Sequence, residues 1–540
     1  MDKIFYNGII RTMDKAIPNA EAVVVKNGII LRVGKNEDIL KLIGENTMLI
    51  DLKGRLMVPG FNDSHMHLLG CGLTFDYVSL GKSTSIDDLI KIGQEAIKNR
   101  DYKCGDWVVG RGWNNDYWNE EAFPNRYDLD KVSTELPVVF TRACGHVTVV
   151  NSKALELMNV DKNTSQVEGG VFDKNESGEP LGIFRELALN LVYDRIPNPS
   201  VEDLKKIIVN AANRALEQGI TSVQSDDFES APGKDFKKVL RAYKELVEEN
   251  SLPIRVNEQC LLFTKERLEE FFSLGYKTNK GNDFFKIGPL KLLGDGSLGA
   301  RTAYLSKPYA DDPSTCGIPC YTQEELDELI ITAHNNHMPC AVHCIGDGIM
   351  SMVLNSIEKA QMLNPKKDMR HGIVHCQITD KEILERYRDL NVIAHIQPIF
   401  LHYDSHIVDK RVGKELAETS YNWKSMIDMG IHVACGSDAP VEPFDVLPNI
   451  YCAVTRKDLN GYPEEGWYPE QCMSVEEAVY GFTMGSAYAS YDENIKGSIT
   501  VGKYADMVVL EENIFEIDPM RIKDVKVDMT IVNGDIKFSR

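Results

Sequence analysis

From "LMVPGFNDSHMH" onward the chain alternates short apolar strand candidates with helical text, and eight such strands can be counted. The others are "GITSVQSDD", "IRVNEQCLL", "IGPLKLLGDGS", "PCAVHCIGD", "RHGIVHCQ", "NVIAHIQP" and "HVACGSDAP". Intervening stretches such as "LKKIIVNAANRALEQG" carry the 3.6-residue period of a helix with one buried face. Eight strands with helices between them predict an α/β fold, a closed parallel (β/α)8 barrel over residues 58–490. The first crossover breaks the rhythm. It runs from about 70 to 210 and holds aromatic-rich polar text such as "RGWNNDYWNEEAFPNRYDLD", which predicts a functional or lid-forming insertion rather than slack loop.

The two ends are written differently. "IFYNGIIRTM", "AVVVKNGIILRVG" and "TMLIDLKGRLMVPG" alternate β-branched runs with tight turns, and "GSITVGKYADMVVLE" and "MTIVNGDIKF" repeat that style. Asn7-Gly8, Asn27-Gly28 and Asn533-Gly534 are pairs that close two-residue hairpins. Residues 1–57 and 491–540 are therefore expected to build one small β-sandwich.

A chain of 540 residues is long enough for both parts, and a net charge of -21 sets it against nucleic acid and anionic membranes as partners. The start "MDKIFYNGIIRTMD" has no basic region followed by a long apolar run, and no apolar run in the chain is long enough to span a bilayer. A cytoplasmic protein is expected. The twelve cysteines lack zinc-ribbon or thioredoxin spacing and read as reduced thiols.

The candidate chemistry lies at strand ends. In a strand, residues two apart share a face, so His65 and His67 can both point into the barrel mouth. His343, His375 and Asp438 end the fifth, sixth and eighth strand candidates, and in this fold the C-terminal mouth is where sites are built. Four imidazoles and a carboxylate supply ligands for one or two divalent ions. Lys291 sits among apolar residues of the fourth strand, where an ammonium must be paired or removed. It reads either as a carbamylated bridge between two ions or as a buried ion pair with Asp295 or Glu258.

The text "VPGFNDSHMHL", "RACGHVTVVNSKAL", "LKLLGDGSLGARTA", "AVHCIGDG", "RHGIVHCQ", "GSDAPVEPFDVL", "AVTR" and "GSITVGKYADMVVL" resembles the amidohydrolase superfamily, and within it the amidohydrolase-3 group of YtcJ-like and N-substituted formamide deformylase-like proteins. The resemblance implies His65, His67 and Asp438 on one metal, His343 and His375 on a second, and Lys291 as bridge, with zinc the expected ion. It implies hydrolysis of a C–N bond of a small amide or formamide-like molecule, with Asp438 shuttling the proton and His146 either a further catalytic donor to the oxyanion or a loop histidine that only orders the insertion.

Other residues carry two readings each. Trp113, Tyr117 and Trp118 line an apolar pocket or pack the insertion; Asp295 and Arg301 bind substrate or lock the loop after the fourth strand. Glu186 in "LGIFRE" is open. Where relatives carry arginine, glutamate and serine this chain has Gly372, Val374 and His395. Residues 372 and 374 have the opposite parity to His375, which predicts that they point away from the barrel axis. The alternatives to the hydrolase are a mononuclear deaminase of an amino-heterocycle and a non-catalytic barrel scaffold. A homodimer is the expected assembly.

Overall fold

The computed structural model describes residues 2–75, 77–100, 102–103, 106–118, 123–143, 145–167 and 169–540. Eight parallel strands form one sheet: β1 (Phe61–Met66), β2 (Ile220–Ser225), β3 (Arg255–Leu261), β4 (Phe285–Leu293), β5 (Cys340–Cys344), β6 (Gly372–His375), β7 (Ile393–Ile396) and β8 (Val433–Cys435). They pair in chain order from β1 to β8, one at each predicted strand. Helices separate them because the sequence between strands has one apolar face. In Val201–Glu217 the buried residues Leu204, Ile208, Ala211, Ala212 and Ala215 fall on a single stripe. Gln323–Asn335 starts at a capping box of Thr322 and Glu325.

The sheet closes between β1 and β8. The Asp438 N–H donates to His65 O at 2.8 Å and the His67 N–H to Ala439 O at 2.7 Å. The result is a (β/α)8 barrel.

Both chain ends meet in a β-sandwich. One sheet orders Ile29–Gly34, Ala22–Lys26, Lys3–Tyr6 and Met48–Asp51; the other orders Asp535–Ser539, Val527–Val532, Met507–Leu510, Leu56–Pro59, Ile9–Arg11 and Asn19–Ala20. Phe5, Val23, Val25, Met57, Met507, Val509 and Ile531 pack between them. Asn27-Gly28 and Asn533-Gly534 have positive φ at both positions and close antiparallel hairpins, as expected. Asn7-Gly8 does not: only Asn7 has positive φ, and the strands it joins belong to different sheets. Gly8 is needed there for clearance, since a Cβ would lie 2.4 Å from Leu52 Cδ1.

The chain forms two compact units, one of residues 1–71, 205–228 and 236–540, the other of 72–204 and 229–235. The second unit thus adds a short segment after β2 to the insertion. Its six-stranded sheet orders Gly170–Lys174, Pro180–Glu186, Val147–Val150, Val138–Arg142, Val108–Trp113 and Val78–Ser79. Trp113 is fully buried in its core and donates Nε1–H to Phe140 O at 3.0 Å, and Trp118 donates to Ser83 O at 2.8 Å. The substrate-binding reading of Trp113 is corrected: the ring is spent on packing. The Tyr117 side chain lies outside the described residues.

The parity expectation for β6 is also corrected. Strand pairing puts Leu293, His343, Val374 and His395 in one row, and Lys291, Ala341, Gly372 and Ile393 in another on the same face. Gly372 and Val374 therefore face inward with Lys291 and His343. His375 leaves the regular alternation because its backbone turns to φ 82, with Cys376 at φ 51.

Candidate metal centre at the barrel mouth

His65, His67 and Asp438 converge. His65 Nε2 and His67 Nε2 each lie 3.3 Å from the same oxygen, Asp438 Oδ1, and the three donor atoms are within 4.8 Å of one another. The ligand-to-ligand edge of a tetrahedron with bonds of 2.0–2.1 Å is about 3.3 Å, so the set has the spacing that a small divalent ion requires. Two imidazole nitrogens and a carboxylate also suit such an ion chemically. Asp438 is buried at φ 59, a backbone state that costs an aspartate about 1 kcal/mol or more and is held by the closed seam.

The other ring nitrogens fix which atom is offered. Gln259 Nε2 donates to Ser64 O at 3.0 Å, so its Oε1 must accept, and His65 Nδ1 lies 2.7 Å from it. His65 is thereby the Nδ1–H tautomer with Nε2 bare. His67 Nδ1–H donates to Asp226 O at 2.8 Å. His375 repeats the His65 device, with Nδ1 2.8 Å from Gln397 Oε1 while Gln397 Nε2 reaches His395 O at 3.4 Å. His343 is reversed: Nε2–H donates to Gly296 O at 3.1 Å and leaves Nδ1. Partners of this kind orient metal-binding imidazoles and tune their basicity.

Titration follows from these contacts. Burial works against a charged His67, yet the bond to Asp438 and the charge of Asp226 raise it to about 9. Burial also opposes the Asp438 charge, but His65 and His67 hold it well below the usual carboxylate range. His65 is lowered by burial and by Lys291, His343 is pushed down to about 4 by the same two causes, and His375 falls well below the usual value through burial and His343.

His343 and His375 stand beside the first set, with ring centroids 4.3 Å apart and His375 5.8 Å from His65. Lys291, almost fully buried on β4, has its Nζ 3.4 Å from Asp226 Oδ2. The ion-pair partner is thus Asp226, not Asp295 or Glu258. Asp295 is occupied by the loop: its carboxylate takes the backbone N–H groups of Tyr304, Ile345 and Gly346 at 2.9–3.0 Å. Arg301 makes a two-bond pair with Asp311 at 3.0 and 2.9 Å. The loop-locking reading of Asp295 matches these bonds, because both carboxylate oxygens are used, and the Arg301–Asp311 pair ties the same loop. In the second unit, exposed His146 bonds Glu186 at 3.0 Å through Nδ1.

A sequence model described as "Amidohydrolase family" matches residues 48–538. The chain belongs to the amidohydrolase family. Among relatives of this amidohydrolase, the putative amidohydrolase YtcJ of Bacillus subtilis is 34% identical over 100% of both chains. N-substituted formamide deformylase of Arthrobacter pascens is 24% identical over 100% of this chain and 98% of its own. The crystal structure of an uncharacterized metal-dependent hydrolase from Pyrococcus horikoshii superposes with a TM-score of 0.80 at 29% identity, covering 96% of this chain and 99% of that one. Hydrolysis is the class of reaction this family membership supports.

Sequence reading missed Asp63, Asp226, Gln259, Gln397 and Ser437, all of which hold the site. The available signal was polar side chains in otherwise apolar barrel strands, as in "NEQC" and "HIQP", where a buried amide needs partners.

Proposed function

We propose that this amidohydrolase is a metal-dependent enzyme that hydrolyses a C–N bond, amide or formamide-like, in a small molecule. The observation that carries the reading is the convergence of His65 Nε2 and His67 Nε2 on Asp438 Oδ1 at 3.3 Å. His65, His67 and Asp438 would hold one ion and His343 with His375 a second, with zinc the expected metal. A divalent ion there supplies Lewis acidity, bringing the pKa of water to about 7 and polarising a carbonyl.

The protein's own groups do the rest. Asp438, kept ionised by its two histidines, accepts a proton from the attacking water and returns it to the leaving nitrogen. Gln259, Gln397 and the Asp226 carbonyl keep three imidazoles in the tautomer that presents Nε2. The relative from Arthrobacter makes N-substituted formamides the first compounds to try.

A second reading, the mononuclear deaminase, is favoured by the Lys291–Asp226 pair. An ammonium is stabilised at 3.4 Å from a carboxylate, whereas a carbamate there would be repelled. Metal content per chain, the mass of the peptide containing Lys291, and turnover of N-formyl, N-acyl and amino-heterocyclic compounds separate the two. The hydrolase reading expects two ions, a modified Lys291 and formyl or acyl release lost in D438N. One ion with a free lysine and ammonia release would establish the deaminase. A metal-free protein after reconstitution, or an active D438N, would overturn both.

A further inference from the structure

The His67 ring is held by a peptide bond, and that peptide bond is held by Glu258. His67 Nδ1–H donates to Asp226 O at 2.8 Å. The N–H of the same peptide unit, that of Asp227, donates to Glu258 Oε1 at 3.1 Å. A carbonyl and the amide next to it share one π system, so an acceptor on the N–H enriches the oxygen and strengthens the bond that oxygen receives.

The unit is anchored on every side. The Asp226 N–H donates to Met66 O at 2.9 Å. Ser225 Oγ accepts the Leu68 N–H at 2.7 Å, and the Asp227 carboxylate accepts the Leu69 N–H at 2.8 Å and the Tyr243 hydroxyl. The loop after β2 therefore cannot shift without moving the segment that carries His67. Glu258 is fully buried. It follows the strand alternation to the face opposite Gln259, so neighbouring residues of β3 serve the two histidines: Gln259 bonds His65 directly and Glu258 reaches His67 through one peptide. Burial, with Asp227 and Asp226 close by, pushes the Glu258 carboxyl well above its usual range. It accepts through Oε1, and its Oε2 is buried without a hydrogen-bond partner.

We propose that Glu258 is a positioning residue for the metal centre, setting the orientation and basicity of His67 through the Asp226–Asp227 peptide. The proposal rests on the metal-site reading above. Loss of an outer partner of a metal-binding histidine typically weakens the metal about 10- to 100-fold.

The test is the zinc affinity of full-length protein, by chelator competition, for wild type, E258Q and E258M, each also in an H67Q background. E258Q keeps a carbonyl acceptor and is expected to bind within about threefold of wild type, while E258M, of similar length but with no acceptor, weakens binding about 10-fold or more. In the H67Q background E258M is expected to have no further effect, because its route to the ion is gone. Wild-type affinity in E258M, E258Q as weak as E258M, or an equal loss with and without His67 would each overturn the relay and leave the metal site standing. Zinc-free wild type after reconstitution would overturn both. Should E258M not fold, 15N-histidine spectra of zinc-loaded wild type decide, with the His67 signal assigned through H67Q: a protonated Nδ1 supports the relay and a bare Nδ1 overturns it.

Discussion

Asp63 of β1 and Ser437 beyond β8 close the barrel at the candidate metal centre. Both carboxylate oxygens lie 3.1 Å from the Ser437 N–H, Oδ2 also accepts the Ser437 hydroxyl at 2.6 Å, and Oδ1 takes the His65 N–H at 3.1 Å. One buried acid thus binds the residue before Asp438 and the backbone of His65. In D63N one acceptor becomes an amide NH2 facing donors, so unfolding free energy is expected to fall by about 2–4 kcal/mol. S437A removes the hydroxyl bond to Asp63 and also the acceptor of the Ala439 N–H at 3.2 Å, and is expected to cost about 1–3 kcal/mol. Urea unfolding checks both, and metal content should fall in D63N, since the seam sets the His65–Asp438 spacing.

Gln259 and Gln397 make a second prediction. Each clamps its amide on a strand carbonyl and accepts from a histidine Nδ1–H. Q259L and Q397L free the rings to turn and change tautomer, so metal affinity is expected to drop about 10- to 100-fold at each. If the histidines belong to two ions, Q259L depletes one and Q397L the other. Elemental analysis against a graded chelator series reads the result.

What was legible in the sequence follows from what is local. The strands were visible because each is a short apolar run ended by a turn, and the hairpins at Asn27-Gly28 and Asn533-Gly534 because two residues carry their whole geometry. The candidate ligand residues stood out because each lies at or just past the end of a strand. The partners that fix those ligands were not: Gln259 lies 194 residues from His65 and Ser437 374 residues from Asp63, and only barrel register brings them together. The facing of Gly372 and Val374 was misjudged because regular alternation was extended through His375, whose positive φ interrupts it. Trp113 was ambiguous because one aromatic residue in polar text does not say which wall it joins.

A pH dependence is expected from a buried histidine pair at the end of β6 opposite to His375. The Cys340 N–H donates to His371 Nδ1 at 3.2 Å, His371 Nε2–H donates to His334 Nδ1 at 2.9 Å, and His334 Nε2–H donates to Asn364 O at 2.7 Å. Both rings are satisfied only when neutral. Burial, with His334 beside it, pushes His371 down to about 3, and burial lowers His334 as well. A histidine whose folded pKa lies below its unfolded value of about 6.5 favours unfolding as the pH falls from there toward 3, because the unfolded chain binds the extra proton. The contribution of His371 is therefore full above about pH 6.5 and shrinks by up to about 1.4 kcal/mol per unit below it. H371N should flatten that slope. Urea midpoints between pH 7.5 and 4.5 on metal-free protein test it, and parallel slopes for the two proteins would count against the assignment.

Gly372 and His395 occupy one space inside the barrel. The His395 ring is buried, and its Nε2 lies 2.7 Å from where a Cβ on residue 372 would stand. Both positions face the barrel interior, so glycine at one makes room for imidazole at the other. In G372A the ring must move within a packed strand layer, and a loss of about 1–3 kcal/mol is expected. H395S alone leaves a cavity of nearly a ring and is expected to lose about 1–3 kcal/mol as well. If the two positions share one space, G372A/H395S should be more stable than the sum of the single losses predicts, by about 1 kcal/mol or more. Denaturation of all four proteins measures that coupling, and strict additivity would show that the two positions have no steric dependence on each other.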